Sequence, residues 1–332
     1  MKSNMKNILE KIYNQIPLSY QEAFNVLVEM GNGEVSEIEM TAFISAFNMK
    51  EITLDELKGF RDALLSLCYK VEIDASNAID MCGTGGDGKN TFNVSTISSF
   101  VVAGAGYRVV KHGNYGVSSL CGSSNVLEEL GFKFTTNSKD LNSKLDKAGI
   151  CFLHAPLFHS AMKHVAPIRK QLGVKTFFNL LGPLVNPAQP SHQLVGVYNL
   201  KIARKYKYIL EEEQKQFAVL HNVDGYDEAT LTAPLRVLGT NKELQLYPSD
   251  FNAEVLRPEE LYGGNSIQTA ASLFTRILSG EGTDAQTNVV VANAALAIQC
   301  FEPALSLEVA MEKARETIVS QKAINKLKMV LN

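Results

Sequence analysis

The chain has 332 residues, 45% of them hydrophobic and 20% charged, with a formal net charge of −3. That is enough apolar material for one large domain or two smaller ones, and the slightly acidic balance disfavours nucleic acid or an anionic membrane surface as a partner. Five cysteines (Cys68, Cys82, Cys121, Cys151 and Cys300) stand singly, an odd number without a CxxC pair, which argues against a disulfide framework or a zinc site.

The opening MKSNMKNILEKIYNQ is too polar to hold the core of a signal peptide. No apolar run reaches the roughly 18 residues of a membrane-spanning helix. These features predict a soluble protein of a reducing compartment, hence cytoplasmic.

The first 70 residues read as helical. Ser19 to Glu22, Ser36 to Glu39 and Thr53 to Glu56 each have the spacing of a capping box, and apolar residues at helical intervals follow each one, for example Met40, Phe43, Ile44 and Phe47. Gly31 and Gly33 mark a break between helices. From about residue 74 the pattern changes, and short β-rich runs alternate with helical ones. AIDM, YRVVKH, FKFT, ICFLHAP, HQLVGVY and FAVLHNV are predicted strands, and SSNVLEELG, SKDLNSKLDKAG, MKHVAPIRKQLG and IARKYKYILEEEQKQ are predicted helices. Such alternation predicts a mostly parallel sheet covered by helices. The segment FFNLLGPLVNPAQPSH, rich in Pro, Gly and Asn, reads as a crossing between domains, and the chain from about Ser266 onward reads as mainly helical.

Four segments carry chemistry. The first is DMCGTGGDGKNTFNVST, Asp80 to Thr96, which places Gly83, Gly85, Gly86 and Gly88 around Asp87 after a short apolar strand. Without a Cβ, glycine lets backbone N–H groups come close to an anion, and before a helix start such a loop cradles phosphate. Asn93, Ser95 and Thr96 are placed to cap the next helix and to offer hydroxyl and amide groups to phosphate oxygens. The pattern is neither GxxxxGK[ST] nor a dinucleotide fingerprint. The second segment is Lys111-His112-Gly113-Asn114, at the end of a predicted strand, where open α/β sheets bind ligands. Lys111 offers a point charge, and Ser118, Ser119 and Ser123 supply hydroxyls at a following helix start. The third is HSAMKHVAPIRKQLG, where Arg169 is either a bidentate carboxylate ligand or a surface arginine lying along apolar neighbours. The fourth is HNVDGYDEATLT. Its adjacent Asp227 and Glu228 are either solvated surface acids or paired hard oxygens suited to Mg²⁺ that shares its shell with substrate phosphates.

In this order and spacing, GTGGDGKNTFNVST, KHGN, VSS, the HxAMKxVxPxR segment, FNxLGPLxNP and DGxDE resemble the anthranilate phosphoribosyltransferase family. The glycine loop and KHGN alone resemble the wider superfamily that includes pyrimidine-nucleoside phosphorylases, and FNLLGPLVNP with DGYDE narrows the resemblance. It implies an α/β fold class with a small all-helical domain, residues 1–70 with a later contribution from about 170–190. A large α/β domain with a mostly parallel sheet, residues 74–332, would complete it, with the active site in the cleft between them. It also implies a homodimer.

The implied reaction moves phosphoribose from phosphoribosyl pyrophosphate to the amine of anthranilate. The products are N-(5-phosphoribosyl)anthranilate and pyrophosphate, a step of tryptophan biosynthesis. By resemblance, Gly83, Thr84, Gly86, Asp87, Thr91, Asn93, Ser95, Thr96, Lys111 and Ser123 bind phosphoribosyl pyrophosphate. Gly83, His112, Asn114, His159, Arg169 and Gly182 line the anthranilate path. Ser95, Asp227 and Glu228 hold Mg²⁺. Three positions depart from the family pattern: Tyr115 followed by Gly116 where arginine is common, Ser160 where proline follows the histidine, and Lys175 where arginine is common. The competing readings are a pyrimidine-nucleoside phosphorylase and a non-catalytic, nucleic-acid-binding relative. DGYDE and FNLLGPLVNP disfavour the first, and the acidic balance disfavours the second.

Overall fold

A computed structural model describes residues 4–116, 121–240 and 242–332. The elements run α1 (Met5–Tyr13), α2 (Tyr20–Gly31), α3 (Glu37–Phe47), α4 (Leu54–Leu67), β1 (Ala78–Met81), α5 (Val94–Gly104), β2 (Arg108–Gly113), α6 (Ser123–Glu129), α7 (Ser138–Ala148) and β3 (Ile150–His154). They continue with α8 (Ala155–Phe158), α9 (Ala166–Leu172), β4 (His192–Gly196), α10 (Leu200–Glu212), β5 (Gln216–Asn222), β6 (Leu235–Gly239) and β7 (Glu243–Leu246). Four helices close the chain: α11 (Ile267–Leu278), α12 (Asp284–Phe301), α13 (Leu307–Val319) and α14 (Lys322–Leu331). The chain divides into a helical unit, Met1–Lys70 with Ala155–Pro187, and an α/β unit, Val71–His154 with Ala188–Asn332.

In the helical unit, α2, α3 and α4 each begin with a complete capping box, on Ser19 with Glu22, Ser36 with Glu39 and Thr53 with Glu56. Each box satisfies N–H groups that a helix start leaves without partners. Gly59, in mid-helix, costs α4 some intrinsic helix propensity, yet a Cβ there would lie 2.5 Å from the Tyr20 carbonyl oxygen of α2. The glycine is what allows α2 and α4 to touch backbone to backbone. Phe43, Phe47 and Phe60 form an aromatic cluster, and Phe177 joins it with ring centroids 6.1, 5.0 and 4.6 Å away. That insertion gives the segment 155–187 an apolar reason to return to the helices it left far back in sequence.

Glu56 serves two purposes. One oxygen accepts from the Thr53 N–H of its own cap at 2.8 Å, the other from the Leu18 N–H at 2.9 Å, and both accept from Lys50 Nζ at 2.7 and 2.8 Å. Both side chains are almost entirely buried.

In the α/β unit the sheet order is β3-β2-β1-β4-β5-β6-β7. The first five strands are parallel, and β6 and β7 extend the sheet antiparallel. The chain leaves β1 toward β2 on one side, while β4 leads to β5 on the other. The switch point therefore lies at the carboxyl ends of β1 and β4, where open sheets hold ligands. The core is built from fully buried residues of α5 and α12 packed on the central strands, including Ile97, Phe100, Val101, Val290 and Ala294.

Two sequence expectations are corrected, and two strands were not expected. FKFT is irregular chain: Phe132 and Phe134 pack ring to ring at 5.0 Å, and Phe132 meets Phe152 of β3 at 5.2 Å. The β-like composition reflects side-chain burial without a ladder partner. MKHVAPIRKQLG is a 3₁₀ turn at Ser160–His164 followed by α9, with Pro167 in the first turn of α9, where its missing N–H has no helical partner to lose. β6 and β7 were not among the expected strands: LRVLG and ELQL are only five and four residues long. Among the described residues no helix is long and apolar enough to cross a membrane.

Removing the Glu56 carboxylate leaves Lys50 buried without its counter-ion, so Glu56→Ala is expected to destabilise the helical unit by about 3–5 kcal/mol. The drop is read from urea unfolding. Replacing Lys50 and Glu56 together by Met and Leu costs clearly less.

Candidate active site

The loop after β1 is fastened to the loop after β5 through backbone donors. Thr84 N–H donates to the Gly196 carbonyl at 2.9 Å, which anchors the loop to the end of β4. Gly85, with φ of +63°, turns its N–H onto Asp227 Oδ2 at 2.6 Å. Ser95 N–H, in the first turn of α5, donates to Glu228 Oε1 at 3.0 Å. Both adjacent acids thus hold N–H groups at the glycine loop and at a helix N-terminus, positions that favour negative charge. The approach is as close as chemistry allows: a Cβ on Gly83 would sit 2.6 Å from Asp227 Oδ2, and a Cβ on Gly196 would sit 1.4 Å from the Asp227 carbonyl oxygen.

The turn that carries the acids is itself tied down. Asn222 Nδ2 donates to Thr230 Oγ1, and Thr232 Oγ1 donates to Asp224 Oδ2 at 2.6 Å. Burial pushes the Asp227 carboxyl up to about 7, with the Asp87 charge adding to the effect. Burial, and then the Asp227 charge, holds Glu228 well above the usual carboxylate range. Two buried acids facing a third are a poor arrangement alone and a good one around a hard cation. Among the described residues no cluster of three or more His, Cys, Asp or Glu side chains forms a complete metal site. Two carboxylates that leave the rest of the shell to substrate oxygens suit Mg²⁺.

Lys111 is a buried cation, 2% exposed, whose Nζ donates to the Met81 carbonyl and lies 3.5 Å from Ser95 Oγ. It stands beneath the glycine loop. Asp80, fully buried in β1, accepts the His112 N–H at 3.1 Å and so ties β1 to the KHGN segment. Ser123 Oγ donates to the Asn114 carbonyl at 3.3 Å, and a Cβ on Gly113 would lie 2.6 Å from that hydroxyl. Thr84 and Thr96 are buried, and Gly86 stands in the left-handed region with φ of +73°. Thr91 bridges to Tyr262 in backbone pairing. Asp87 Oδ1 accepts the Lys89 N–H at 3.0 Å within the loop, and the Asp87 carboxyl also acts on Asp227 by charge and hydrogen bonding. Beside the loop, a cavity of about 540 Å³ is lined by residues 88–91, Tyr226, Pro258, Glu259 and Tyr262. That volume is in the range of small-molecule sites.

One capping expectation is corrected. Asn93 occupies the N-cap position of α5, but its side chain donates to the Cys121 carbonyl at 3.1 Å and leaves the helix start to Glu228. Ser95 and Thr96 lie inside the first turn. Ser118 and Ser119 lie outside the described residues.

The acceptor-side candidates divide between the two units. His112 and Asn114 belong to the α/β unit, and His159, Arg169 and Gly182 to the helical unit. Arg169 is half-buried, donates to Asn179 Oδ1 at 3.3 Å and lies 5.3 Å from the Phe178 ring centroid. Burial lowers its pKa from the ordinary value. It is a restrained guanidinium rather than a free surface arginine. His159 Nε2 meets the Val185 carbonyl at 2.9 Å. At the departure Tyr115, the phenol donates to Glu128 Oε1 at 2.8 Å and the ring stands edge-on to His154 at 4.7 Å. The tyrosine thus ties the KHGN segment to α6. Sequence reasoning missed Asp80 and Gly196, and the one signal for Gly196 was a glycine at a strand end.

The fold and the loop together define a phosphate-cradling site at the switch point of a mostly parallel sheet. Residues 6–68 match the helical bundle domain of a glycosyl transferase family and residues 75–324 match its a/b domain. The chain is 51% identical over 323 residues to the anthranilate phosphoribosyltransferase of Flavobacterium johnsoniae, covering 97% of this chain and 98% of that one. It is likewise 51% identical over 324 residues to that of Flavobacterium psychrophilum, covering 98% of each. The Thermus thermophilus enzyme structure superposes with a TM-score of 0.90 at 31% identity over 97% of this chain and 98% of that chain. The Saccharomyces cerevisiae enzyme in complex with PRPP and Mg gives 0.91 at 25% identity over 100% and 98%. The chain belongs to the anthranilate phosphoribosyltransferase family.

Two outcomes are expected. Because Asp227 binds its proton more tightly in the fold than in the unfolded chain, its contribution to stability is full below about pH 4 and is lost as pH rises through about 7. In chelator, the melting temperature therefore falls over that window, and Asp227→Asn flattens the fall. Gly196→Ala, whose new methyl would overlap the Asp227 carbonyl, displaces the acidic turn. It is expected to lower both thermal stability and the response of the melting temperature to Mg²⁺ with phosphoribosyl pyrophosphate.

Proposed function

We propose that this chain transfers phosphoribose from phosphoribosyl pyrophosphate to the amine of anthranilate, releasing pyrophosphate, with its residues dividing the work as follows. The reading is carried by the fastening of Asp227 and Glu228 onto the N–H groups of Gly85 and Ser95 at the switch point of the sheet. The glycine loop, with Gly83, Thr84, Gly86, Asp87 and Thr91, together with Asn93, Ser95, Thr96, Lys111 and Ser123, binds phosphoribosyl pyrophosphate. Asp227 and Glu228, with Ser95 beside them, hold Mg²⁺, which supplies positive charge against the pyrophosphate when bound.

The aryl amine of anthranilate is neutral at pH 7, because its lone pair is delocalised into the ring, so no strong base is needed to create the nucleophile. The harder task is departure of pyrophosphate from the anomeric carbon. As the C1′–O bond breaks and the N–C1′ bond forms, pyrophosphate leaves with the bonding pair, the amine nitrogen gives up one proton to solvent, and Lys111 and the loop N–H groups meet the charge that the leaving oxygens gain. Arg169, held by Asn179 and Phe178, takes the acceptor carboxylate in a bidentate fork. His112, Asn114, His159 and Gly182 orient the ring, with Gly83 at the boundary of the two substrates. Catalysis is then chiefly positioning and electrostatics. We place the protein in the cytoplasm as a homodimer. Exposed apolar side chains on the helical unit, among them Tyr13, Ile16, Ile38 and Met49, support pairing there.

The first test mixes protein, phosphoribosyl pyrophosphate, Mg²⁺ and anthranilate and follows anthranilate fluorescence. A fall that needs all four components is expected, and in a separate phosphorolysis assay no phosphate-dependent release of thymine from thymidine. Arg169→Ala is expected to raise KM for anthranilate on the order of tenfold or more with little change in kcat, as loss of a charged hydrogen bond implies. A pure kcat loss would contradict the carboxylate role.

A further inference from the structure

The α12 helix is buried nearly all round, and Val289 to Ala297 are otherwise small or apolar side chains. Asn293 is the exception, 2% exposed in the middle of that run. Its carboxamide is fully engaged. Oδ1 accepts the Ala229 N–H at 3.1 Å, while Nδ2 donates to the Ala229 carbonyl at 2.9 Å and to the Val289 carbonyl at 2.8 Å. A primary amide that takes both the N–H and the C=O of one residue acts as a two-point clamp: it bonds the two peptide groups that flank that residue, here 228–229 and 229–230, and so fixes the orientation of each. Ala229 is itself 1% exposed and follows Glu228 directly.

From this geometry we infer that Asn293 is a positioning residue for the acidic pair. It sets the place and rotation of the Asp227–Glu228 turn from the rigid core of the α/β unit. The inference rests on the reading that Asp227 and Glu228 hold Mg²⁺. The turn needs an external hold because its own chemistry works against it. Two neighbouring carboxylates brought together in a buried place repel each other, and hydrogen bonds to Gly85 and Ser95 restrain only the side-chain ends. Rotating the 228–229 peptide would swing the Glu228 carboxylate away from the Ser95 N–H, and the clamp on Ala229 prevents that rotation. Partners one step removed from a metal's ligands typically change metal affinity 10–100-fold when lost.

The test compares Asn293→Ser, Asn293→Ala and Val290→Ala. Serine can keep the bond to the Val289 carbonyl but cannot span both groups of Ala229. Val290 is fully buried on the same helix and its side chain carries no hydrogen-bonding group, so its truncation reports loss of packing without loss of a hydrogen bond. Two readouts are taken: the Mg²⁺ concentration giving half-maximal rate, and the calorimetric Kd of phosphoribosyl pyrophosphate at limiting and at saturating Mg²⁺.

The expected result is a rise of about tenfold in the half-maximal Mg²⁺ concentration for both Asn293 variants. Phosphoribosyl pyrophosphate binding should weaken at limiting Mg²⁺ and recover at saturation, with no such split for Val290→Ala. If the Asn293 variants lower the melting temperature but keep the wild-type Mg²⁺ dependence, as Val290→Ala does, the clamp is structural and the inference is overturned. Asp227→Asn and Glu228→Gln run in parallel. An unchanged Mg²⁺ dependence in those would overturn the metal reading itself, whereas a change there without one in Asn293→Ser would overturn the positioning role alone.

Discussion

The site depends on a single electrostatic constraint: two adjacent acids, Asp227 and Glu228, must be kept together inside the protein. Each is held by a backbone N–H rather than by a cationic side chain, Gly85 for one and Ser95 for the other. That choice has consequences throughout the α/β unit. The glycine loop must approach within contact distance of the acids, which is why Gly83 and Gly196 have no room for a Cβ. The α5 helix must begin where Glu228 can reach its first turn, so the helix start takes an acid from a distant loop in place of a local cap.

This arrangement is strained in the sense that matters for ligand binding. Burial and like charge raise the proton affinity of both acids, and backbone N–H groups only partly offset that. A hard cation with a pyrophosphate would relieve the repulsion. Lys111, buried under the loop with its Nζ against Met81 and Ser95, adds a fixed positive charge that needs no rearrangement to act. The sheet places these parts in register. The loops after β1 and β4 meet at the switch point, and the turn after β5 arrives beside them.

The helical unit solves a different problem. Its capped helices are locally determined, and the phenylalanine cluster explains why a segment from much later in the chain belongs with them. The arginine on that segment is held by an amide and an aromatic ring, which limits the rotamers it loses when it meets a carboxylate. Tyr115 links the KHGN segment to α6 through Glu128 and to β3 through His154, so this residue has a local structural role.

Much of this was legible in the sequence. The three capping boxes, the strand before the glycine loop, the βα alternation and the DGYDE turn are local patterns, and local hydrogen bonding and side-chain periodicity determine them. The misread segments were those whose state is set elsewhere. FKFT has the composition of a strand but no neighbour to pair with, and β6 and β7 become strands because β5 offers an edge. Asn93 looks like a cap, yet Cys121 takes its amide. Asp80, Gly196 and Asn293 show no role in the local sequence, since their roles arise from contacts with residues 32, 31 and 64 positions away. The sequence by itself determined which chemical groups exist and the short-range structure that presents them. Only the tertiary structure decided which of those groups share one buried volume, because burial, charge coupling and close backbone approach depend on distance in space rather than along the chain.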